Sequence, residues 1–288
     1  MTVIFSTLSN WLTTQLASMP WAILAVLFVL ALLFSAVGFY RVVYFISIGY
    51  AFSIVAMAVT VMVLLFRDLT WASALHNILL IIWGLRLGLY LLRRELRSAY
   101  GKAMTDVHQR TAKMPFSRRA LIWVGVSLLY VMMFSPSLFS LVPADAPSGW
   151  LATGSQVVGL LLMGGGLIVE GFADKQKSDF KARFPKLFCN IGLYRWVRCP
   201  NYLGEITFWV GNFVVGLAFY ATALRFGVSF IGALCIVLIM MGSTKRLEES
   251  QDRRYGALPE YQTYVKSVPV LFPFVPIYSL KNIRVYLE

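Results

Sequence analysis

The run PWAILAVLFVLALLFSAVGFYRVVYFISIGYAFSIVAMAVTVMVLLF, residues 20–66, holds a single charged residue, Arg41. A hydrocarbon core of about 30 Å takes roughly 20 apolar residues at about 1.5 Å of helix rise each. The run therefore predicts two membrane crossings, 20–40 and 42–66, with a tight turn at Arg41. One broken or strongly tilted pair of helices is the other reading of the same residues.

Five more apolar windows follow, at 71–92, 121–141, 151–169, 202–220 and 226–241. The 288 residues are 59% hydrophobic and 14% charged, with a mean hydropathy of +0.71, whereas soluble chains carry about 25% charged residues. The expected fold class is all-α, a polytopic integral membrane protein of seven transmembrane helices. Ahead of residue 20, Phe5, Leu8, Trp11, Leu12 and Leu16 lean toward one side, which suits an interfacial helix. That segment lacks the basic start and small-residue cleavage site of a signal peptide.

Charge sets the expected orientation. The connection 93–119 carries eight basic residues, Arg93, Arg94, Arg97, Lys102, Arg110, Lys113, Arg118 and Arg119, against Glu95 and Asp106. Residues 170–200 carry seven against three, and the tail after Ser243 adds seven. The alternate connections hold only Arg67 with Asp68, then Asp145, then Arg225. Positive charge stays inside, which puts the basic loops and C-terminus in the cytoplasm and the N-terminus outside. The formal charge of +13 then belongs to topology and anionic lipid rather than nucleic acid, which would call for an extended soluble basic domain.

Several chemistries are disfavoured. Cys189 and Cys199 fall in a loop assigned to the reducing cytoplasm and Cys235 lies within a span, so no structural disulfide is expected. The histidines, His76 and His108, are remote from the cysteines, and no metal set is expected. There is no Rossmann glycine fingerprint and no Lys-Ser/Thr phosphate loop; Gly164 to Gly166 lie within a span and suit close helix packing or bending.

Charge, amides and aromatics concentrate between residues 170 and 205. Asp174, Lys177, Asp179, Lys181 and Arg183 keep helical spacing past the fifth span, as either a functional polar face or an ordinary solvated one. Next come Tyr194, Arg195, Arg198, Asn201, Tyr202 and Glu205, with Pro200 suited to starting a helix. Asn201, Glu205 and Trp209 share one helix face. Glu205 sits a turn inside the span, where a carboxylate needs a partner such as Arg86, Arg198 or Lys245, or a bound polar ligand. Arg86, flanked by Trp83 and Tyr90, is a second inward candidate, with snorkelling as its plain alternative. Lys245, Arg246, Glu248, Glu249, Arg253 and Tyr255 extend the seventh helix, and the proline-rich VPVLFPFVP after it is too short to span.

Taken together, RWVRCPNYLGEITFW (195–209), EGFADKQKSDFK (170–181), KRLEESQDRRYGALPEYQTY (245–264) and WGLRLGLYLLRR (83–94) resemble the steroid 5-alpha-reductase family, especially its bacterial DUF1295 branch. The resemblance covers 83–94 and 170–268; earlier spans match only in hydrophobicity and order. It implies a bacterial inner-membrane oxidoreductase that passes hydride from NADPH, bound on the cytoplasmic side, to a conjugated carbon-carbon double bond of a lipophilic substrate. One membrane domain, 1–288, would hold the substrate in a five-helix part, 20–169, and the cofactor in 170–288. By similarity Asp174 and Lys181 lie beside the nucleotide, Asn201 and Glu205 hold the nicotinamide amide with Tyr202 adjacent, and Trp209 borders the ring. Arg195 and Arg198 meet the pyrophosphate or 2′-phosphate, and Lys245, Arg246, Arg253 and Tyr255 add contacts from the tail.

Steroid-reducing members carry a Gln-Glu pair in the second span; here 42–66 has neither residue, and Tyr50 is its one internal polar aromatic after Tyr44. Arg86, stabilising enolate charge, and Tyr90, donating a proton, are the candidates left at the substrate end. The same C-terminal signature has relatives among isoprenylcysteine carboxyl methyltransferases, which use S-adenosylmethionine. Those usually carry histidine where this chain has Cys199. A non-catalytic lipid- or sterol-binding protein is the third reading, and protein partners are not indicated.

Overall fold

The computed structural model of the chain describes residues 2–95, 114–143 and 149–282. Among them are seven helices long and apolar enough to cross a membrane: Trp21–Phe39, Val42–Leu64, Trp71–Glu95, Phe116–Leu141, Trp150–Arg183, Pro200–Phe219 and Ala223–Tyr255. Each coincides with one predicted window, and no strand occurs among the described residues. The protein is an all-α integral membrane protein. Arg97, Lys102, Asp106, His108, Arg110, Lys113 and Asp145 lie outside the described residues.

The α-helices are α1 (Thr2–Ala17), α2 (Trp21–Ser35), α3 (Ile48–Leu64), α4 (Trp71–Glu95), α5 (Phe116–Leu141), α6 (Trp150–Arg183), α7 (Pro200–Val215), α8 (Ala223–Tyr255) and α9 (Pro259–Ser267). Between α2 and α3, two 3₁₀ segments, Ala36–Phe39 and Val42–Ile46, flank an extended Arg41 (φ −145°, ψ 122°). The turn is tight because Gly38 lies against the Phe45 ring, where a Cβ would come within 2.1 Å. α6 and α8 run on past their apolar stretches as the expected polar extensions.

By internal contacts the chain forms two units, one of residues 1–160 with 212–233, the other of 161–211 with 234–288. In the first, polar bonds tie together the element ends that an alternating up-and-down path must bring to one side. Arg41 donates to Glu95 Oε2 at 3.0 Å, as does the Tyr44 hydroxyl, joining the first turn to the far end of α4. At the other side, buried Arg225 donates to the carbonyls of Ser18 and Val142 (2.8 Å), while Leu224 N donates to Gln15 Oε1 at 2.9 Å. These bonds clip the ends of α1 and α5 to the start of α8, and leave Leu8, Trp11, Leu12 and Leu16 exposed, as an interfacial helix would.

Helices in a membrane associate through close packing of small residues and internal hydrogen bonds. α3 meets α4 where Gly84 faces the Ala51 carbonyl; a Cβ there would lie 2.7 Å from that oxygen. Pro136 lies inside α5 and withholds an N–H from the Met132 carbonyl. The Ser135 hydroxyl donates to that carbonyl instead (2.8 Å), and Asn212 Nδ2 donates to the Met133 carbonyl (2.9 Å). Asn212 Oδ1 meets His76 Nε2 at 2.8 Å, so His76 is the donor there, and Ser137 bonds Asn77 Oδ1 at 2.9 Å. All four side chains are buried.

The second unit is built on the crossing of α6 and α7. Gly166 lies against the Gly204 carbonyl and the Phe208 backbone, each 2.5 Å from where a Cβ would sit, and Gly204 faces the Glu170 backbone at 2.6 Å. Gly164 and Gly165 have nothing within 4 Å of an added Cβ; of the glycine triplet, only its last member makes the crossing.

Candidate functional site

Three elements of the second unit assemble the candidate site: the polar end of α6, the connection 184–199 leading into α7, and the polar end of α8. The connection is ordered by specific bonds. Gly192, at φ +56°, turns the chain where the Gln176 amide lies within 2.6 Å of an added Cβ, and Gln176 Oε1 accepts from Leu193 N at 3.0 Å. The Tyr194 hydroxyl donates to the Ala173 carbonyl at 3.2 Å and its own carbonyl accepts from the Tyr264 hydroxyl at 2.6 Å. Arg198 N and Cys199 N donate to the Pro269 and Val270 carbonyls at 2.9 and 3.0 Å. The proline-rich stretch thus fastens the loop from which α7 starts.

α7 carries Asn201, Glu205 and Trp209 one turn apart, with Glu205 6% and Trp209 1% exposed. Asn201 Oδ1 is buried and accepts no hydrogen bond. A buried acceptor left without a donor costs about 1–3 kcal/mol, so Asn201 Oδ1 is an atom at this end of α7 with hydrogen-bonding capacity to spare. Glu170 (2%) and Asp174 (7%) on α6 are also buried, which makes this a carboxylate-rich interior.

Arg198 is 3% exposed and donates to Glu248 Oε1 at 2.8 Å and to the Tyr278 carbonyl. Glu248 Oε2 accepts Leu280 N at 2.8 Å. Arg198 therefore holds α8 and the C-terminal segment to the loop, and Glu248, rather than Glu205, is the carboxylate it pairs with. Its Nε–H is buried and makes no hydrogen bond. A buried pair of this kind is costly to break from one side, by about 3–5 kcal/mol.

Arg198 also lines a cavity of about 190 Å³ with Lys177, Lys181 and Arg254. Phe188, Tyr255 and Tyr264 form its aromatic wall. Lys181 Nζ donates to the Leu187 carbonyl and the Tyr255 hydroxyl and sits 4.8 Å from the Tyr255 ring centroid. Of the expected tail residues, Tyr255 joins the cavity. Arg195, Arg246 and Arg253 are exposed, Arg246 bonding Ser243 at 3.0 Å; Lys245 and Tyr202 are half-buried. Lys177 and Arg254 were not singled out as cofactor contacts, yet helix spacing points to them: Lys177 precedes Lys181 by one turn, and Leu247, Ser250, Gln251 and Arg254 recur at i, i+3, i+4 and i+7 along α8. Arg253 is one residue out of that register.

Arg86 and Tyr90 lie on α4 in the first unit, both half-buried, Tyr90 packed on the cluster of Tyr44, Ile48 and Leu91. Trp83 is fully buried edge-on to Tyr50, centroids 5.0 Å apart, and Tyr50 stacks on Tyr130 at 5.2 Å. Burial pushes the Cys199 thiol up to about 12 and raises Cys189, so neither is poised as a thiolate.

A family model described as Protein of unknown function (DUF1295) matches residues 33–268. No curated protein and no solved structure matches the chain. With the match covering most of its length, the chain belongs to the DUF1295 family.

Proposed function

We propose that this DUF1295 member is a membrane reductase of the steroid 5-alpha-reductase kind, using NADPH to saturate a carbon-carbon double bond conjugated to a carbonyl in a lipophilic substrate. The observation that carries the reading is the donor-starved Asn201 Oδ1, buried one turn ahead of buried Glu205. A carboxamide offers an N–H₂ to such an acceptor and a carbonyl to a neighbouring donor. In the same unit, a cation-lined cavity and the unsatisfied Arg198 Nε–H suit the phosphates of a dinucleotide.

The residues fit the cofactor in chemical type. Asn201 and Glu205 would hold the amide and Trp209 would border the ring, with Tyr202 beside them. Lys181, Arg198 and Tyr255 would serve the phosphate end, Asp174 the adjoining nucleotide, and Arg195, Lys245, Arg246 and Arg253 the surrounding positive field. NADPH would supply the hydride. The chain's part is orientation and charge in a site from which water is excluded; Arg86 would balance negative charge on the substrate oxygen and Tyr90 would deliver the proton. By the positive-inside rule this end would face the cytoplasm, of a bacterial inner membrane on this reading, where NADPH is present.

Calorimetric titration of the purified protein with NADPH, NADH and S-adenosylmethionine tests the reading. NADPH should bind, and Asn201→Ala or Glu205→Gln should weaken it about tenfold or more with the melting temperature held. Binding of S-adenosylmethionine alone turns the assignment to a membrane methyltransferase; binding of no nucleotide leaves a lipid-binding role. For the substrate end, nicotinamide absorbance in stopped flow with enones or enoyl lipids should fall more slowly in Tyr90→Phe and Arg86→Met at unchanged nucleotide affinity.

A further inference from the structure

The loop 270–277 of the second unit, closed where Val270 N donates to the Ile277 carbonyl at 2.9 Å, turns apolar side chains outward. Val270 and Leu271 on its inner arm are buried, whereas Phe274 is 87% exposed and Val275, Ile277 and Tyr278 are exposed with it. Trp196, itself 63% exposed, meets Phe274 edge-on with ring centroids 6.2 Å apart. Residues 267–280 carry no charge, and Lys266 and Lys281 bound them. An exposed aromatic patch of this kind marks contact with another protein or with a membrane.

The tip is held in a conformation its side chain resists. Val275 N donates to the Phe272 carbonyl at 3.4 Å across Pro273 and Phe274, and Phe274 has φ +66°. Proline followed by a positive φ is the pattern of a type II turn, whose third residue is usually glycine or asparagine; a bulky side chain there is an outlier. The strain holds a phenyl ring away from the protein, which gains nothing in water and gains burial in an apolar layer.

Position identifies that layer. Arg198 N and Cys199 N donate to the Pro269 and Val270 carbonyls, so the base of the loop lies beside the residues that lead into α7. The apolar window of α7 opens at Tyr202, three residues on from Cys199, or about 4.5 Å along the helix axis. The headgroup layer is about 5–8 Å deep on each side of the hydrocarbon, and the base of the loop falls within it. Tryptophan and tyrosine concentrate at that depth, where one part of the ring is apolar and the other wet. We propose that loop 270–277 with Trp196 is an interfacial wedge, Phe274 and Trp196 entering the leaflet at which α7 begins, and that lipid is the partner of this patch. The arm that follows is fastened to polar side chains: the Tyr278 carbonyl to Arg198, Leu280 N to Glu248 Oε2 at 2.8 Å and Lys281 Nζ to Asp252 Oδ2 at 2.5 Å. Lipid contact at the tip thereby steadies the joint between the loop ahead of α7 and the polar end of α8. This holds whichever reaction the protein performs.

The test is electron paramagnetic resonance on the full-length protein in nanodiscs of phosphatidylglycerol and phosphatidylcholine, with the three native cysteines replaced by serine or alanine. A nitroxide is attached at Val275→Cys or, as the water-facing control, at Glu260→Cys; both positions are exposed. Glu260 lies past the end of α8, which runs fourteen residues beyond Met241, about 20 Å. Oxygen concentrates in lipid and a nickel chelate stays in water, so the ratio of their collision rates with the nitroxide reads depth. The ratio at 275 should exceed that at 260 several-fold, fall to the level of 260 when Phe274→Asp is added, and persist with Phe274→Trp. Melting curves check folding, and a label at Ile277→Cys gives the same reading where Val275→Cys does not fold. Equal ratios at 275 and 260 overturn the wedge and leave a water-facing loop. A high ratio unmoved by Phe274→Asp overturns the part given to Phe274. Shielding of 275 from both reagents overturns the lipid assignment too, in favour of a second copy where Val275→Cys forms disulfide-linked dimers in the membrane and of the protein's own packing where it does not.

Discussion

Arg198 shows how one side chain serves two ends. Its guanidinium clamps Glu248 and the Tyr278 carbonyl, yet its Nε–H points to no acceptor. Glu248→Gln should cost about 3–5 kcal/mol of stability, because it strands a buried cation, whereas Arg198→Met with Glu248→Leu should recover most of the loss; thermal unfolding in detergent reads both. The resemblance implied a phosphate contact for Arg198, but the carboxylate it pairs with, Glu248, fifty residues away, was not legible in the sequence. Register decides a second case: Arg253 and Arg254 are adjacent and both exposed, and only the helix period on α8 puts Arg254, not Arg253, on the cavity. The thiols follow from burial alone. With Cys199 buried and its thiol pushed up to about 12, iodoacetamide at pH 8 should leave Cys199 unmodified in the folded protein and alkylate it in denaturant.

At the scale of elements, the glycine triplet of α6 resolves into unequal parts. Gly166 admits the Gly204 carbonyl and Phe208 backbone, and a side chain there has no flexible neighbour to displace. Gly166→Val or Gly204→Val should therefore destabilise by about 1–3 kcal/mol through overpacking and shift Asn201 and Glu205, which α7 carries within one turn of the crossing. Gly165→Ala meets open space and gains up to about 1 kcal/mol of helix propensity. Melting temperatures of the three variants should split in that order, and equal losses would count against the crossing. Sequence marked the triplet as a place of close approach, but which member makes it depends on the facing helix. The turn at Arg41 is similar: hydropathy located it, and Gly38 against Phe45 explains why so few residues suffice.

The whole molecule was the most legible level, since all seven spans and the polar extensions of α6 and α8 follow from apolar run length and charge. The buried His76–Asn212 and Asn77–Ser137 bonds were not, because isolated polar residues within apolar runs reveal a partner only once helices are paired. The bonds within the first unit agree with an alternating path: Arg41 and Glu95 meet at one side, and Ser18, Val142 and Arg225 at the other. Charge density then assigns the side. The Lys- and Arg-rich ends of α6 and α8 should face the cytoplasm and the start of α6 the outside. Trp150 is 86% exposed and Arg183 is exposed, so each accepts a cysteine without loss of packing, and the three native cysteines can be replaced by serine or alanine as background. A membrane-impermeant maleimide added to intact spheroplasts should label Trp150→Cys and spare Arg183→Cys until the membrane is opened. The opposite result would turn the cation-lined cavity toward a compartment without dinucleotide, and a reductase fed by NADPH could not work from that side.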